Sequence, residues 1–169
     1  MATKMFQTFD KNSPPTRQAW MAMLARAPQT LLDFALASHK HREPQWLRRP
    51  ETGLMMVQGR VGGTGERFNL GEVTVTRCAL RLPATSSNAP VGVSYVLGRN
   101  HHQAQLAALA DALLQDPAHH AALEISLLTP LREHLQAQEA LRHARAQTTK
   151  VDFLTVAREA GSSDEEGQA

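Results

Sequence analysis

The sequence predicts an α+β fold: an N-terminal helical hairpin, a central antiparallel sheet with a glycine-rich loop, C-terminal helices and a final short strand. Three observations predict it. Apolar residues recur at helical spacing before Pro44 and again after Asn100. Between Pro44 and Gly98, where eight of the ten glycines lie, the apolar period falls towards two. The strand-like segments follow one another without intervening helices, which favours an antiparallel sheet over βαβ units. A length of 169 residues sets an expectation of one domain, with enough chain to enclose a core without disulfide staples. We place a flexible N-terminus at 1–13, a single domain at 14–160 and a disordered acidic tail at 161–169, where Asp164, Glu165 and Glu166 follow Gly and Ser.

The elements follow in order. Ser13-Pro14-Pro15 offers a capping hydroxyl and then prolines whose missing N–H groups cost little in a first helical turn. Trp20, Leu24 and Ala27 keep helical spacing until Pro28 ends the run. A second short helix is expected from Thr30 to about His39, with Leu31, Leu32, Ala35 and Leu36 on one side and Phe34 off that face. Strands are expected at Leu54–Arg60, Glu72–Leu82 and Val91–Leu97, with Gln45–Arg49 a weaker one and residues 83–90 a polar hairpin loop. Within Glu72–Leu82, Val73 and Val75 share a face with Arg77 and Arg81, while Cys78, Leu80 and Leu82 lie opposite. Such a switch demands a bulge near Arg77 or cover on both faces. Asn100 caps a helix from His101 to Gln115 with a stripe of Leu106, Leu109, Ala110, Leu113 and Leu114. Asp116-Pro117 breaks it, and a further helical region runs from Ala118, interrupted at Pro130, to about Gln147, carrying Leu123, Leu127, Leu131 and Leu135. Val151–Val156 alternates as a last short strand.

Composition excludes several classes. Apolar residues at 42% are ordinary for a globular chain, and no apolar run approaches the ~18 residues that span a bilayer. The first thirteen residues lack the apolar core of a signal peptide, and the single cysteine, Cys78, forbids an intrachain disulfide. The chain therefore reads as cytoplasmic, with no membrane partner. Net charge is only +2, yet from Arg17 to Arg99 eleven basic residues face five acidic ones, and ten of the eleven are Arg. Guanidinium forks suit carboxylate or phosphate oxygens. Trp46, Phe68 and Tyr95 are too scattered for a nucleic-acid surface.

The segment richest in chemistry is Arg60-Val61-Gly62-Gly63-Thr64-Gly65-Glu66-Arg67. Three glycines in four residues let backbone amides converge on an anion, or supply the positive φ of a strand–loop–strand turn. No Gly-Lys-Ser/Thr follows, so it is not a Walker loop, and the third glycine of a dinucleotide fingerprint is missing. Arg60, Gly62, Gly63, Thr64, Gly65, Glu66, Arg67, Thr76, Arg77 and Arg99 are the candidate interface or phosphate-binding residues, with Arg77 and Arg99 expected to be brought to the loop by the sheet. No catalytic residue is assigned. Glu66 is expected to pair with an arginine rather than act as a base, and Cys78 to be a buried small residue. Adjacent His101-His102 and His119-His120 point apart on a helix, and His39 with His41 lacks a third ligand, so no metal site is assigned.

In order, ETGL (51–54), RVGGTGERF (60–68), GEVTVTRCALRL (71–82) and GVSYVLGRN (92–100) resemble the PhnG family. RQAWMAMLARA (17–27), AQLAALADALLQ (104–115) and KVDFLTVAR (150–158) extend the resemblance over roughly 14–160. Asn100 stands where the family usually has Asp, and the 83–90 loop is longer than the family's. The resemblance implies a subunit of the bacterial carbon–phosphorus lyase core complex in phosphonate catabolism. It implies support for a step in which a phosphonate such as methylphosphonate displaces adenine from the ribose C1′ of ATP, giving a ribose 1-phosphonate 5-triphosphate. The implied partners are PhnI most directly, and PhnH, PhnJ, PhnK and PhnL; ATP is the complex's substrate, and no cofactor belongs to this chain alone. Two other readings stay open: a stand-alone phosphate- or nucleotide-binding enzyme using the 60–67 loop, and a purely structural scaffold.

Overall fold

The computed structural model describes residues 16–39, 43–83 and 89–150. The chain opens with α1 (Arg17–Leu24) and α2 (Gln29–Ala35), the latter ending in a single 3-10 turn. Thr16, rather than Ser13, caps α1: its hydroxyl accepts from the Ala19 amide. Ser13 lies outside the described residues. Trp20, Met23, Leu24, Ala27, Leu32 and Leu36 enter the core, while Phe34 stays 84% exposed, as its position off the apolar face requires.

Among the described residues the sheet is three antiparallel strands in the order β1 (Gln45–Arg60), β2 (Arg67–Arg81), β3 (Val91–Leu97). Two sequence expectations need correction here. The weak strand at 45–49 and the strand at 54–60 are one continuous strand, and β2 starts five residues before Glu72. The face switch in β2 is resolved mainly by its partner: register shifts flank Arg48 in β1, opposite Ala79 and Arg77. In β2 itself Thr76, Cys78 and Leu80 turn inward in regular alternation, followed by Leu82, while Val75 is also buried on the opposite side.

One helix dominates the packing. α3 (His101–Leu114) lies across the inner face of the sheet, and ten of its residues are buried instead of a single stripe. Its alanines explain this. A Cβ built on Gly92 of β3 would meet the Ala108 carbonyl oxygen at 1.9 Å, so only a glycine facing small residues permits such an approach. α4 (Pro117–Leu123) is capped by Asp116. The chain then winds one π turn over Glu124–Leu128 before α5 (Thr129–Thr148). The irregularity therefore precedes Pro130, which sits harmlessly in the first turn of α5. Leu123, Leu127, Leu128 and Leu131 are buried and Leu135 partly so; beyond it α5 is mostly exposed, Leu141 included. Among the described residues no helix is long and apolar enough to cross a membrane. The expected strand at 151–156, the tail at 161–169 and the first fifteen residues lie outside the described residues, as do 84–88 of the hairpin loop.

Candidate functional site

β3 pairs with β2 only as far as Val75↔Leu97, whereas β1 and β2 continue as a two-stranded arm to Arg60↔Arg67. The glycine loop is the tip of this arm. Gly62 (φ 58, ψ 16) and Gly63 (φ 83) occupy both central positions of a tight turn with the mirror-image backbone that matches strand twist. The amides of Thr64 and Gly65 both donate to the Val61 carbonyl, and Val61 N–H donates to Glu66. A Cβ on Gly65 would stand 2.8 Å from that same carbonyl oxygen. Each glycine thus has a geometric reason, and two of the loop's amides are directed inward to the turn rather than outward to an anion.

Two arginines flank the tip. Arg60 and Arg67 are direct cross-strand partners, an arrangement that puts like charges side by side. Arg60 Nη1 donates to the Gly65 carbonyl at 3.2 Å; Arg67 makes no ion pair among the described residues, and neither does Glu66. The expectation that Glu66 neutralises an arginine is therefore corrected. Its side chain is on the exposed tip, where nothing holds it against a guanidinium.

Arg77 and Arg99 are not brought to the loop. Ten residues of β2 separate Arg67 from Arg77, about 30 Å at strand rise. Arg77 Nε instead donates to Glu51 Oε1 at 2.7 Å, and Arg48 grips the same oxygen. The hydrogen bonds from Arg48 and then Arg77 hold the Glu51 carboxyl below its ordinary pKa. Arg99 is exposed in the turn between β3 and α3. Thr76 is fully buried: its hydroxyl donates to the Gly98 carbonyl at 2.7 Å and lies 3.2 Å from Thr52 Oγ. Since Thr76 spends its proton on Gly98, Thr52 donates to Thr76 and accepts from His101 Nε2 at 2.9 Å. This chain locks the base of the arm to the start of α3. The site residues thus fall into two groups, a tip of Arg60–Arg67 and a base of Thr76, Arg77 and Arg99.

The histidine pairs point apart as their helical spacing requires. His101 meets Thr52 and His102 meets Asp33, while His120 Nδ1 lies 2.7 Å from the Leu114 carbonyl and its ring stands edge-on to Trp20. Cys78 is buried, and desolvation pushes its thiol up to about 11, which leaves almost no thiolate near neutral pH. The shallow hollow between α1 and β3, lined by Met21, Ala22, Ala25, Val93 and Tyr95, is apolar.

Sequence reasoning missed Asp111. This fully buried carboxylate accepts from Arg17 Nε and Nη2, from Trp20 Nε1 at 2.9 Å and from the Val93 amide at 2.9 Å. Arg17 and Gln115 also donate to the Val91 carbonyl, so the beginning of β3, an edge strand among the described residues, is capped by side chains. A lone acid inside an otherwise apolar helix was the available signal. The carboxylate in turn raises the pKa of Arg17 through their hydrogen bonds.

A family model described as "Phosphonate metabolism protein PhnG" matches residues 15–159. A protein of Rhizobium meliloti (strain 1021), described as alpha-D-ribose 1-methylphosphonate 5-triphosphate synthase subunit PhnG, is 39% identical over 153 residues. That alignment covers 90% of this chain and 95% of the relative.

Proposed function

The chain belongs to the PhnG family of phosphonate metabolism proteins, and from that membership we propose that it is a subunit of the carbon–phosphorus lyase core complex that supplies no catalytic group of its own. In this reading the complex transfers a phosphonate to the ribose C1′ of ATP with release of adenine, ATP entering as substrate and PhnI carrying the nucleosidase chemistry. PhnH, PhnJ, PhnK and PhnL complete the set of partners, in the cytoplasm. The observation that carries the proposal is near end-to-end similarity to a protein described as a synthase subunit.

The exposed chemistry of the arm supports a non-catalytic role. Arg60 and Arg67 bear fixed charge and no proton that moves near neutral pH, so they suit binding and orientation rather than acid–base work. The tip turn is built to be rigid, with Arg60 braced on Gly65. Its first role is contact with PhnI; a contribution to phosphate binding is the lesser one. The test is adenine release from ATP in the presence of methylphosphonate. The purified chain alone should release none, and addition of the other subunits should restore turnover that depends on this chain. Robust turnover by this chain alone would overturn the proposal and favour a stand-alone enzyme.

A further inference from the structure

We infer that the outer face of the sheet, from Tyr95 and Leu97 along the arm to Phe68 and Leu70, is the docking surface for a different polypeptide that presents an apolar patch bordered by carboxylates. This rests on the proposed role as a subunit and names the surface through which that role is exercised.

The register sets the face. Val75 pairs with Gly53 and Leu97, Met55 with Val73, Val57 with Gly71, and Gly59 with Phe68, so these side chains share the side of the sheet opposite α3. Leu70 belongs with them, because its Cδ1 lies 2.9 Å from where a Gly59 Cβ would stand. The row carries no charge between Val75 and Phe68, and it is open: Leu97 is 70% exposed, Leu70 63%, Tyr95 48%, Met55 47% and Phe68 45%. The opposite side of the same arm is mixed, with Leu54 and Met56 beside Glu72, Gln58, Asn69, Arg60 and Arg67. The outer row spans about 30 Å by two to three strands, on the order of 300–400 Å². That is the size of the largest apolar patch on a typical monomer, which is often functional. A two-stranded hairpin with neither face covered is marginal in water, so the arm gains order when this face is buried.

Charge selects the occupant. At the body end stand Arg77, Arg81 and Arg48 against the single Glu51, and Arg81 Nε is buried without an acceptor among the described residues. The body end of the apolar row is therefore cationic, and a second copy laid face to face and parallel would oppose arginine to arginine there. A partner that carries carboxylates beside its apolar patch meets this end and supplies the acceptor that Arg81 lacks.

The experiment co-expresses the full chain with PhnI and measures co-purification and affinity. Met55→Asp and Leu97→Asp should weaken association at least tenfold, while Leu54→Asp on the other side of the arm and Phe34→Asp on α2 should leave it within threefold. Unchanged thermal melts establish that the variants fold. Outer-face variants that assemble normally, or controls that lose as much, overturn the inference while leaving the subunit role standing. Failure of the unaltered chain to associate with PhnI removes both. A second measurement settles the occupant: in Leu97→Cys, with Cys78 buried, maleimide labelling should be fast in the isolated full chain and slow in the complex. Protection already present in the isolated chain would assign the face to the chain's own residues 151–169 or to a second copy, and would overturn the inference.

Discussion

Replacing Asp111 by alanine tests whether one buried carboxylate holds α1, α3 and the start of β3 together. The substitution removes an acceptor shared by Arg17, Trp20 and the Val93 amide. Arg17 is 45% exposed and regains water, so its loss counts for little. The Trp20 indole N–H and the Val93 N–H face the interior and lose their partner outright. Each buried donor left unsatisfied costs about 1–3 kcal/mol, so the pair predicts a loss of about 4 kcal/mol. For a domain whose stability is of order 5–15 kcal/mol, that is a large fraction. At about 2–4 °C per kcal/mol for this size, the melting temperature should fall by roughly 8–16 °C.

The assay is urea unfolding followed by tryptophan fluorescence, with Trp20 itself the reporter. Asp111→Asn separates shape from charge: the amide oxygen serves Trp20, but its NH₂ confronts the donors of Arg17 and Val93. Asn should therefore be intermediate, above Ala and below Asp. A loss under about 1 kcal/mol for Ala, or Asn equal to Asp, would refute the reasoning, because it would mean that water or rearrangement satisfies these donors at little cost.

Gly92→Val should cost about 3 kcal/mol or more by urea unfolding, since even its Cβ collides with the Ala108 backbone; a neutral result would mean that α3 slides freely on the sheet. The Glu51 carboxyl should titrate below the ordinary glutamate range in an NMR pH series. Its folded pKa is depressed, so the Arg48–Glu51–Arg77 contribution is full above the unfolded pKa and is lost as pH falls through the folded one; a normal midpoint rejects the clamp. Cys78 should resist iodoacetamide at pH 8 in the folded chain and react once unfolded, because burial holds it as the thiol. Arg67→Ala and Arg77→Ala should each weaken co-purification with PhnI at least as much as they reduce turnover of the complex. Normal assembly with a more than hundredfold loss of activity, about 2.7 kcal/mol, would place them in the active site instead.

What the sequence made legible was periodic. Helices that bury one face, such as α1 with Trp20 and Leu24, announce themselves by spacing, whereas β3 shows as a strand but buries Ser94 and Val96 and leaves its more apolar face, Tyr95 and Leu97, exposed. The arm did not, because neither of its sides is buried: residues 50–53 separated two expected segments that are one strand, Gln45–Arg60. The helix α3 was read as a stripe because alanine is neutral in a pattern, yet five buried alanines and Gly92 are what bring it onto the sheet. For the site, clustering in sequence misled. Arg67 and Arg77 look adjacent in a string of residues, but a strand separates them by about 30 Å, farther than any side chain bridges.

That separation gives the arm its logic. Its base is fixed twice, on the outer face by Arg48–Glu51–Arg77 and on the inner face by the Thr76–Thr52–His101 chain. Beyond these locks the two strands hold each other by the ladder, the Gln58–Asn69 side-chain hydrogen bond and the tip turn. A rigid root with a weakly supported blade presents Met55, Val73 and Phe68 at a defined angle, yet allows the blade itself to adjust on contact. Substitutions at the root should therefore alter where a partner is held, whereas substitutions along the outer row should alter whether it is held. Thr52→Val and Met55→Asp distinguish the two. Thr52→Val should preserve most affinity while raising amide exchange in both strands of the arm, and Met55→Asp should abolish affinity with exchange at the root unchanged. Equal effects of both on exchange and on affinity would mean that the arm is one cooperative unit with the body, and the division into root and blade would fail.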